Sequence, residues 1–288
     1  MRVRRFDDTV SFREATMDYL VADEARHNLL LGLSATFIEK PHLYELVDLW
    51  AVEGGGEVAL AALRTPPHNL VLGRPTDEEA LDVLVDRLVE EGVDLPGVFA
   101  AEPESDAFVG RWTAARDVDA TLALRQGIYE ATEVHDVPQA PGSHREASRS
   151  DRDLAVRWML AFGEEALPHE GDVERQVRTI ESRLEATGSS GLWLWEVEGE
   201  PVSMSGYGGP TPNGIRIGPV YTPPWLRGRG YATSLVAAQS RWLLETGRRF
   251  VFLFTDLGNA TSNALYRRIG YRMVAASADV RFDPKSVA

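Results

Sequence analysis

Apolar residues recur along the chain with two different periods, which predict a repeated order of helices and strands. In the first half, the segment 49–64 contains two apolar runs around three glycines, which is typical of a hairpin. The apolar run 68–73 predicts a short strand. The segment 76–92 has apolar residues at three- and four-residue spacing, so we expect an amphipathic helix with Thr76 as N-cap and Glu79 at the capping-box position.

The second half repeats this order of elements. Helical patterns over 150–166 and 173–188, the latter with Gly188 as its predicted C-cap, precede a hairpin over 191–209. The remaining predicted elements are a strand at 215–222, a helix from 231, a buried strand at 250–255 and a helix at 259–270 with Asn259 as its N-cap. The shared order predicts two domains of similar architecture.

A break in this periodicity separates the two halves. The stretch 135–151 combines two prolines, a glycine and clustered serines without apolar spacing. We therefore expect an N-terminal domain over 1–135, a linker over 136–149 and a C-terminal domain over 150–288. At 288 residues the chain is long enough for two domains that each bury a core.

The composition excludes several classes of function. The chain contains no cysteine, which excludes disulfides, thiolate nucleophiles and cysteine-ligated metals, and its six scattered histidines do not predict a metal site. The formal charge of −14 argues against a nucleic-acid partner. No apolar window approaches the ~18 residues of a membrane span, so we expect a soluble, cytoplasmic protein without a membrane partner.

The negative charge lies in the first half of the chain. Residues 1–143 contain 12 Arg and Lys against 27 Asp and Glu, whereas residues 144–288 contain 18 against 17. This asymmetry leaves the second half as the better host for an anionic ligand.

A glycine-rich turn in the second half has the layout of an anion site. The predicted strand 215–222 is followed by the turn 223–230 and then by a helix N-terminus, an arrangement that presents several backbone N–H groups to an anion. Two glycines let the backbone approach a diphosphate, and two arginines supply charge for it. The turn is neither a Walker A loop nor a dinucleotide fingerprint. The alternative is a solvated turn without a ligand.

In this context the sequence resembles the GNAT superfamily of acyl-CoA-dependent N-acetyltransferases over residues 144–288. The run Arg227-Gly228-Arg229-Gly230-Tyr231-Ala232 matches the family's R/Q-x-x-G-x-G/A pyrophosphate motif. Val220-Tyr221-Thr222 matches the strand whose backbone pairs with the pantetheine arm. A further match at the expected distance is Asn259-x-x-Ser262-x-x-Leu265-Tyr266-x-x-x-Gly270-Tyr271.

The resemblance implies an α/β fold of two tandem domains. Each domain is expected to have a central, mostly antiparallel sheet flanked by helices, with a splay between its fourth and fifth strands. The resemblance also implies direct transfer of an acetyl group from acetyl-CoA to a primary amine of a small molecule, without a metal. The residues that it assigns to the cofactor are Val220, Tyr221, Thr222, Arg227, Gly228, Arg229, Gly230, Tyr231, Ala232, Asn259 and Ser262.

The resemblance also assigns one catalytic group, Tyr266, as the acid that protonates the leaving thiolate. The alternative for Tyr266 is a core aromatic at helical spacing from its neighbours. The general base stays open, because the strand position of the family's glutamate falls near Arg216, and a cation cannot accept the proton. The alternatives for the base are Glu164, Glu165, His169, Glu196 or a water chain.

The acceptor side of the site has two features in the sequence. Glu164 and Glu165, together with the acidic first half, favour a cationic amine as acceptor. A group of aromatic residues either forms the wall of an acceptor pocket or belongs to the core. These residues are Trp193, Trp195, Tyr207 and Tyr221.

The first half lacks the phosphate motif. After the predicted strand 68–73 the chain continues with the acidic run 74–80, where the motif would place the phosphates. We interpret the first half as a degenerate copy, in a tandem arrangement like that of mycothiol synthases. Two other hypotheses are a protein that senses acyl-CoA without turnover and a structural tandem that binds no ligand.

Overall fold

The computed structural model describes residues 1–166, 172–185 and 187–285, and it divides the chain into two units. The first unit consists of residues 1–128 together with those from 274 onward, and the second consists of residues 129–273. Within the described ranges, no helix is long and apolar enough to span a membrane.

The described residues form a mixed set of strands and helices. The strands are β1 (Arg2–Phe6), β2 (Asp48–Gly54), β3 (Glu57–Arg64), β4 (Leu70–Leu72), β5 (Gly97–Ala101), β6 (Val118–Ala131), β7 (Ser143–Glu146), β8 (Gly191–Val197), β9 (Glu200–Gly208), β10 (Gly214–Tyr221), β11 (Phe250–Asp256) and β12 (Arg272–Pro284). The helices are α1 (Thr9–Val21), α2 (Asn28–Glu39), α3 (Glu79–Glu90), α4 (Glu102–Ala115), α5 (Arg152–Ala166), α6 (Val173–Arg183), α7 (Tyr231–Glu245) and α8 (Ala260–Ile269).

In the first unit the strands follow the order β1-β2-β3-β4-β5-β12. Neighbouring strands are antiparallel except β4 and β5, which are parallel and are connected through α3. A parallel pair needs such a crossover, because its strands cannot be joined by a tight turn. The last strand comes from the far end of the chain, and its residues 277–281 pair with all of β5.

The second unit repeats this topology with the strand order β7-β8-β9-β10-β11. Its neighbours are antiparallel except β10 and β11, which are parallel and are connected through α7. The two units therefore have the same order of antiparallel and parallel pairs. This confirms the predicted α/β fold of two tandem domains with mostly antiparallel sheets.

The fourth and fifth strands of the second unit separate early. Only Gly214, Ile215 and Arg216 of β10 pair with β11, where their partners are residues 250–252. β10 then continues to Tyr221 while paired with β9 alone. The splay that the resemblance implies between these two strands is thus present over residues 217–221.

Both faces of each sheet are covered by apolar residues, as the alternation along the central strands requires. In β8, Trp193 and Trp195 point into the core that includes α7, whereas Leu192 and Leu194 point into the core that includes α5 and α6. In β2, Trp50 and Leu49 divide in the same way between the two cores of the first unit. Because these central strands are buried on both faces, their sequences are almost wholly apolar.

The aromatic residues considered for an acceptor pocket belong to these cores. Trp193, Trp195 and Tyr207 are at most 4% exposed and pack in the core under α7. Tyr221 packs on the opposite face, with its ring centroid 6.2 Å from that of Trp158. The core interpretation of these four residues is therefore the one that the structure supports.

Two predicted helix caps are wrong. Thr76 is not an N-cap, because α3 begins at Glu79 and the carboxylate of Asp77 accepts the Glu79 N–H at 2.9 Å instead. Gly188 is not a C-cap, because α6 ends at Arg183 and is capped by Leu184 in right-handed conformation. In both cases the helix is shorter than its apolar pattern. The pattern determines which face of the helix is buried, but not the residue at which the helix begins or ends.

The predicted linker over 136–149 contains ordered structure of the second unit. Residues 143–146 form β7, which pairs with β8 at the edge of the sheet, and the neighbouring Ala140 and Ala147 are buried. The predicted domain boundaries also differ from the structure, because residues after 273 belong to the first unit. A four-residue edge strand that directly follows Pro141 and Gly142 leaves no periodic signal, and the return of the last strand is non-local.

We predict that Phe282→Ala destabilises the first unit. The side chain is 7% exposed and its ring centroid lies 6.1 Å from that of Trp112, so truncation should lower the free energy of unfolding by about 3–5 kcal/mol. Hydrogen exchange of β5 in increasing urea measures this loss. The control is Met273→Ala at an exposed position of the same strand, which should cost less than about 0.5 kcal/mol. Equal exchange in the two variants would mean that β12 does not hold the first unit's core.

Candidate functional site

The glycine-rich turn of the second unit leads directly into α7. Gly228 and Gly230 have φ angles of 77° and 83°, and Gly230 is the N-cap of the helix. The left-handed region costs a residue with a side chain roughly 1–2 kcal/mol, so the two glycines are required by the backbone conformation itself. A Cβ built on Gly228 meets no heavy atom within 4 Å, which shows that the turn faces open space.

The turn carries a series of backbone N–H groups that lack acceptors. The first backbone bond of α7 runs from the Ser234 N–H to the Gly230 carbonyl at 3.0 Å. Nowhere in the described ranges is there an acceptor for the N–H groups of residues 228–233, among them Tyr231 and Ala232. These groups lie at the positive end of the helix dipole. The predicted anion site therefore has the donors that an anion needs.

The two arginines of the turn differ in their surroundings. Arg229 is exposed and makes only a long contact, from Nη2 to the Trp225 carbonyl at 3.4 Å. Arg227 donates from Nε to the Thr222 carbonyl at 2.8 Å and from Nη2 to the Glu165 carboxylate at 2.6 Å. Its guanidinium also lies 5.7 Å from the ring centroid of Tyr221. Of the two arginines, Arg229 therefore has the fewer contacts within the protein.

The segment before the turn has one side without a strand partner. A one-residue β-bulge follows Ile217 in β10, and the carbonyl of Gly218 in the bulge accepts a hydrogen bond from Arg183. Beyond the bulge, Val220 and Tyr221 pair with β9, while the side towards β11 has no paired strand. Such an edge offers N–H and C=O groups to an extended ligand.

The second helix at this end of the sheet, α8, begins at the predicted polar pair. Asn259 is its N-cap, because its Oδ1 accepts the Ser262 N–H at 3.0 Å. This bond confirms the predicted cap and leaves the Asn259 Nδ2 group as a donor at an exposed position.

Asn263 has a role that the sequence reasoning missed. Its Nδ2 donates to the carbonyls of Asp256 and Asn259 at 2.7 and 2.8 Å, and its Oδ1 accepts the Tyr129 hydroxyl at 2.9 Å. The residue is buried and joins the end of β11 to the start of α8. The available signal was its position three residues before Tyr266, which puts a polar side chain on the buried face of the helix.

Tyr266 lies on that buried face and has a hydroxyl without a partner. The residue is 8% exposed, and burial raises the pKa of its phenol to about 12. Tyr271, whose ring centroid is 5.9 Å away, instead shares a 2.7 Å hydrogen bond with Ser240. The Tyr266 hydroxyl makes no hydrogen bond to any described residue. Its proton is therefore available for a hydrogen bond to a ligand.

The candidates for a general base are in different states. Glu196 accepts a 2.7 Å hydrogen bond from Arg145, which also holds Asp151, so its carboxylate is already engaged. Glu164 is exposed. Glu165 is paired with Arg227. His169 lies outside the described residues. The base therefore stays open.

The corresponding place in the first unit is built differently. After β4, the Arg74 N–H donates to His27 Nε2 at 3.0 Å, and the Tyr19 hydroxyl donates to the Arg74 carbonyl at 2.6 Å. The first turn of α3 there carries Glu79 and Asp82. Acidic side chains at this helix N-terminus repel a phosphate, which supports the interpretation of the first half as a degenerate copy.

Comparisons with known proteins agree with this geometry. Residues 155–271 match the model of the acetyltransferase (GNAT) family. No curated protein matches the chain. Among solved structures, a tandem GNAT protein from the clavulanic acid biosynthesis pathway is 12% identical, with both chains covered fully and a TM-score of 0.57.

Two further solved structures share the fold over nearly the whole length. A GNAT-family acetyltransferase from Colwellia psychrerythraea is 10% identical, with 99% of this chain and 100% of that chain covered and a TM-score of 0.58. A Drosophila protein is 13% identical, with 99% of each chain covered and a TM-score of 0.68. The family model therefore covers most of the second unit, and the chain as a whole shares the fold of these solved structures.

Proposed function

We propose that the protein transfers the acetyl group of acetyl-CoA directly to a primary amine of a small molecule, and that the second unit carries the reaction. The observation that carries the proposal is the row of N–H groups at residues 228–233, which find no acceptor among the described residues and follow the part of β10 that has separated from β11. A diphosphate and an extended amide-containing arm are the chemistry that such a surface binds.

The donor would occupy three contiguous parts of the second unit. Its diphosphate accepts from the turn 227–232, where Arg229 supplies charge. Its pantetheine arm pairs with the free side of Val220 to Thr222. Asn259 and Ser262, at the start of α8, are the polar residues that we propose to contact that arm. All of these residues belong to one unit, so binding needs no contribution from the first.

The chemical step would then depend on positioning and one proton donor. The amine nitrogen attacks the thioester carbonyl, the new C–N bond forms and the C–S bond breaks. The Tyr266 hydroxyl gives its proton to the departing thiolate and is reprotonated from solvent. With a pKa of about 12, the phenol stays protonated at neutral pH, as an acid must. The proton of the amine leaves to a base that the structure does not single out.

The acceptor is proposed to be a cationic small molecule. Glu164 and Glu165 end α5 at exposed positions, and the first 143 residues carry the excess of acidic side chains. An acetyl-CoA-dependent thiol-release screen over amines, amino acids and aminoglycosides identifies the acceptor. A thiol released only in the presence of carboxylic acids or hydroxyl compounds would contradict the proposed amine.

We predict that acetyl-CoA stabilises the protein. At 100 times its dissociation constant, one bound ligand should raise the free energy of unfolding by about 2.7 kcal/mol. Arg229→Glu should abolish the shift, because it places a negative charge beside the diphosphate. The matched control is Arg241→Glu on α7, the helix that follows the turn, and this variant should retain the shift. Thermal unfolding with and without acetyl-CoA measures both. An undiminished shift in Arg229→Glu would exclude the turn as the diphosphate site.

We also predict that Tyr266→Phe lowers kcat by roughly 10²- to 10⁴-fold while the KM for acetyl-CoA changes little, because only the proton donor is lost. The rate of wild-type protein should show no loss from Tyr266 ionisation below its pKa of about 12. Tyr207→Phe is the control, since it removes only a long hydroxyl contact of 3.3 Å within the core. Steady-state thiol release with the amine from the screen provides the measurement. An unchanged kcat in Tyr266→Phe would remove the residue from the mechanism.

A further inference from the structure

The ion pair between Arg227 and Glu165 joins the start of the glycine-rich turn to the end of α5. The Nη2–Oε2 distance is 2.6 Å, and both side chains are about half exposed, at 47% and 45%. Arg227 is held a second time by its 2.8 Å bond to the Thr222 carbonyl. A salt bridge so exposed contributes little to stability, so either partner can exchange it for a stronger interaction.

The surroundings of Glu165 show what its carboxylate faces. Burial raises the pKa of the Tyr221 phenol, and the nearby Glu165 carboxylate raises it further, whereas Arg227 lowers it. Arg227, Glu165 and Tyr221 thus form one cluster at the splayed end of β10. Tyr221 is the middle residue of the strand segment proposed to pair with the donor's arm.

The ion pair conflicts with the diphosphate site next to it. Arg227 is the first residue of the segment 227–232 that is proposed to hold the diphosphate, and its single positive charge is neutralised by Glu165 in the structure. A diphosphate at residues 228–232 would be attracted by the Arg227 guanidinium and repelled by the Glu165 carboxylate, because the ion pair holds both charges beside the site. One guanidinium cannot neutralise both a carboxylate and a diphosphate.

We propose that Glu165 and the donor's diphosphate compete for Arg227, so that Glu165 weakens donor binding and is released when the donor binds. This rests on the proposed function, because it requires an acyl-CoA at the turn. The released carboxylate, beside Tyr221, is then free to attract a cation. Occupation of the turn is in this way coupled to the charge presented on the acceptor side of the strand.

The experiment is isothermal titration of acetyl-CoA into the full chain at low ionic strength. Glu165→Gln should tighten binding by about two- to fivefold, the value of an exposed ion pair of this kind. Glu164→Gln removes the same charge from the neighbouring exposed position and is the matched control, with a smaller effect. The gain in Glu165→Gln should shrink as salt is raised, since exposed charges are screened.

A double-mutant cycle separates competition from a general charge effect. In an Arg227→Gln background, Glu165→Gln should bring a clearly smaller gain, because the shared cation is absent and only the direct repulsion between carboxylate and diphosphate is relieved. A gain of undiminished size in that background, or equal effects of Glu165→Gln and Glu164→Gln, would overturn the proposal while leaving the diphosphate site intact. Failure of the wild-type protein to bind acetyl-CoA would instead contradict the proposed function itself.

Discussion

The early separation of β10 from β11 is the constraint on which the rest of the candidate site depends. Two parallel strands that stay paired bury their backbone groups, but here the pairing ends after three residues. Among the described residues, the remainder of β10 therefore has no paired strand on the side towards β11. Backbone groups at such an edge need partners other than a strand, and the Gly218 carbonyl already has one in the Arg183 side chain.

The same topology places two helix N-termini at one end of the sheet. β10 leads into α7 and β11 leads into α8, and both connections leave from the carboxyl ends of parallel strands. The positive ends of both helix dipoles thus lie near the splay. This explains how one side of the unit combines donors for an anion, at the turn before α7, with the buried phenol of Tyr266 on α8. Ligand sites commonly form at the carboxyl ends of strands for this reason.

The parts of this site that the sequence predicts are the local ones. The glycine-rich turn, the Asn259 cap and the spacing to Tyr266 are all set by residues a few positions apart, and each is present. Asn263 was missed because its function lies in its partners, Tyr129 and the carbonyl of Asp256, one of which is distant in the chain. The base was left open because it depends on which carboxylates already have a cation.

The fold likewise combines features that are set by neighbouring residues with features that depend on residues distant in the chain. The hairpins and the faces of the helices were predicted from periodicity, and they are present. The caps at Thr76 and Gly188 were wrong because a helix end depends on which neighbouring side chain reaches the free N–H or carbonyl. The strand β7 was missed because four residues cannot establish a period, and its position is fixed only by pairing with β8.

The assignment of the last strand to the first unit has a consequence for the order of synthesis. A ribosome completes residues 1–128 and then all of the second unit before it adds Ala278, Val280 and Phe282, which belong to the first unit's core. Until then β5 is an open edge, and open edges invite pairing with other chains. The first unit can therefore complete its core only after the whole of the second unit has been synthesised.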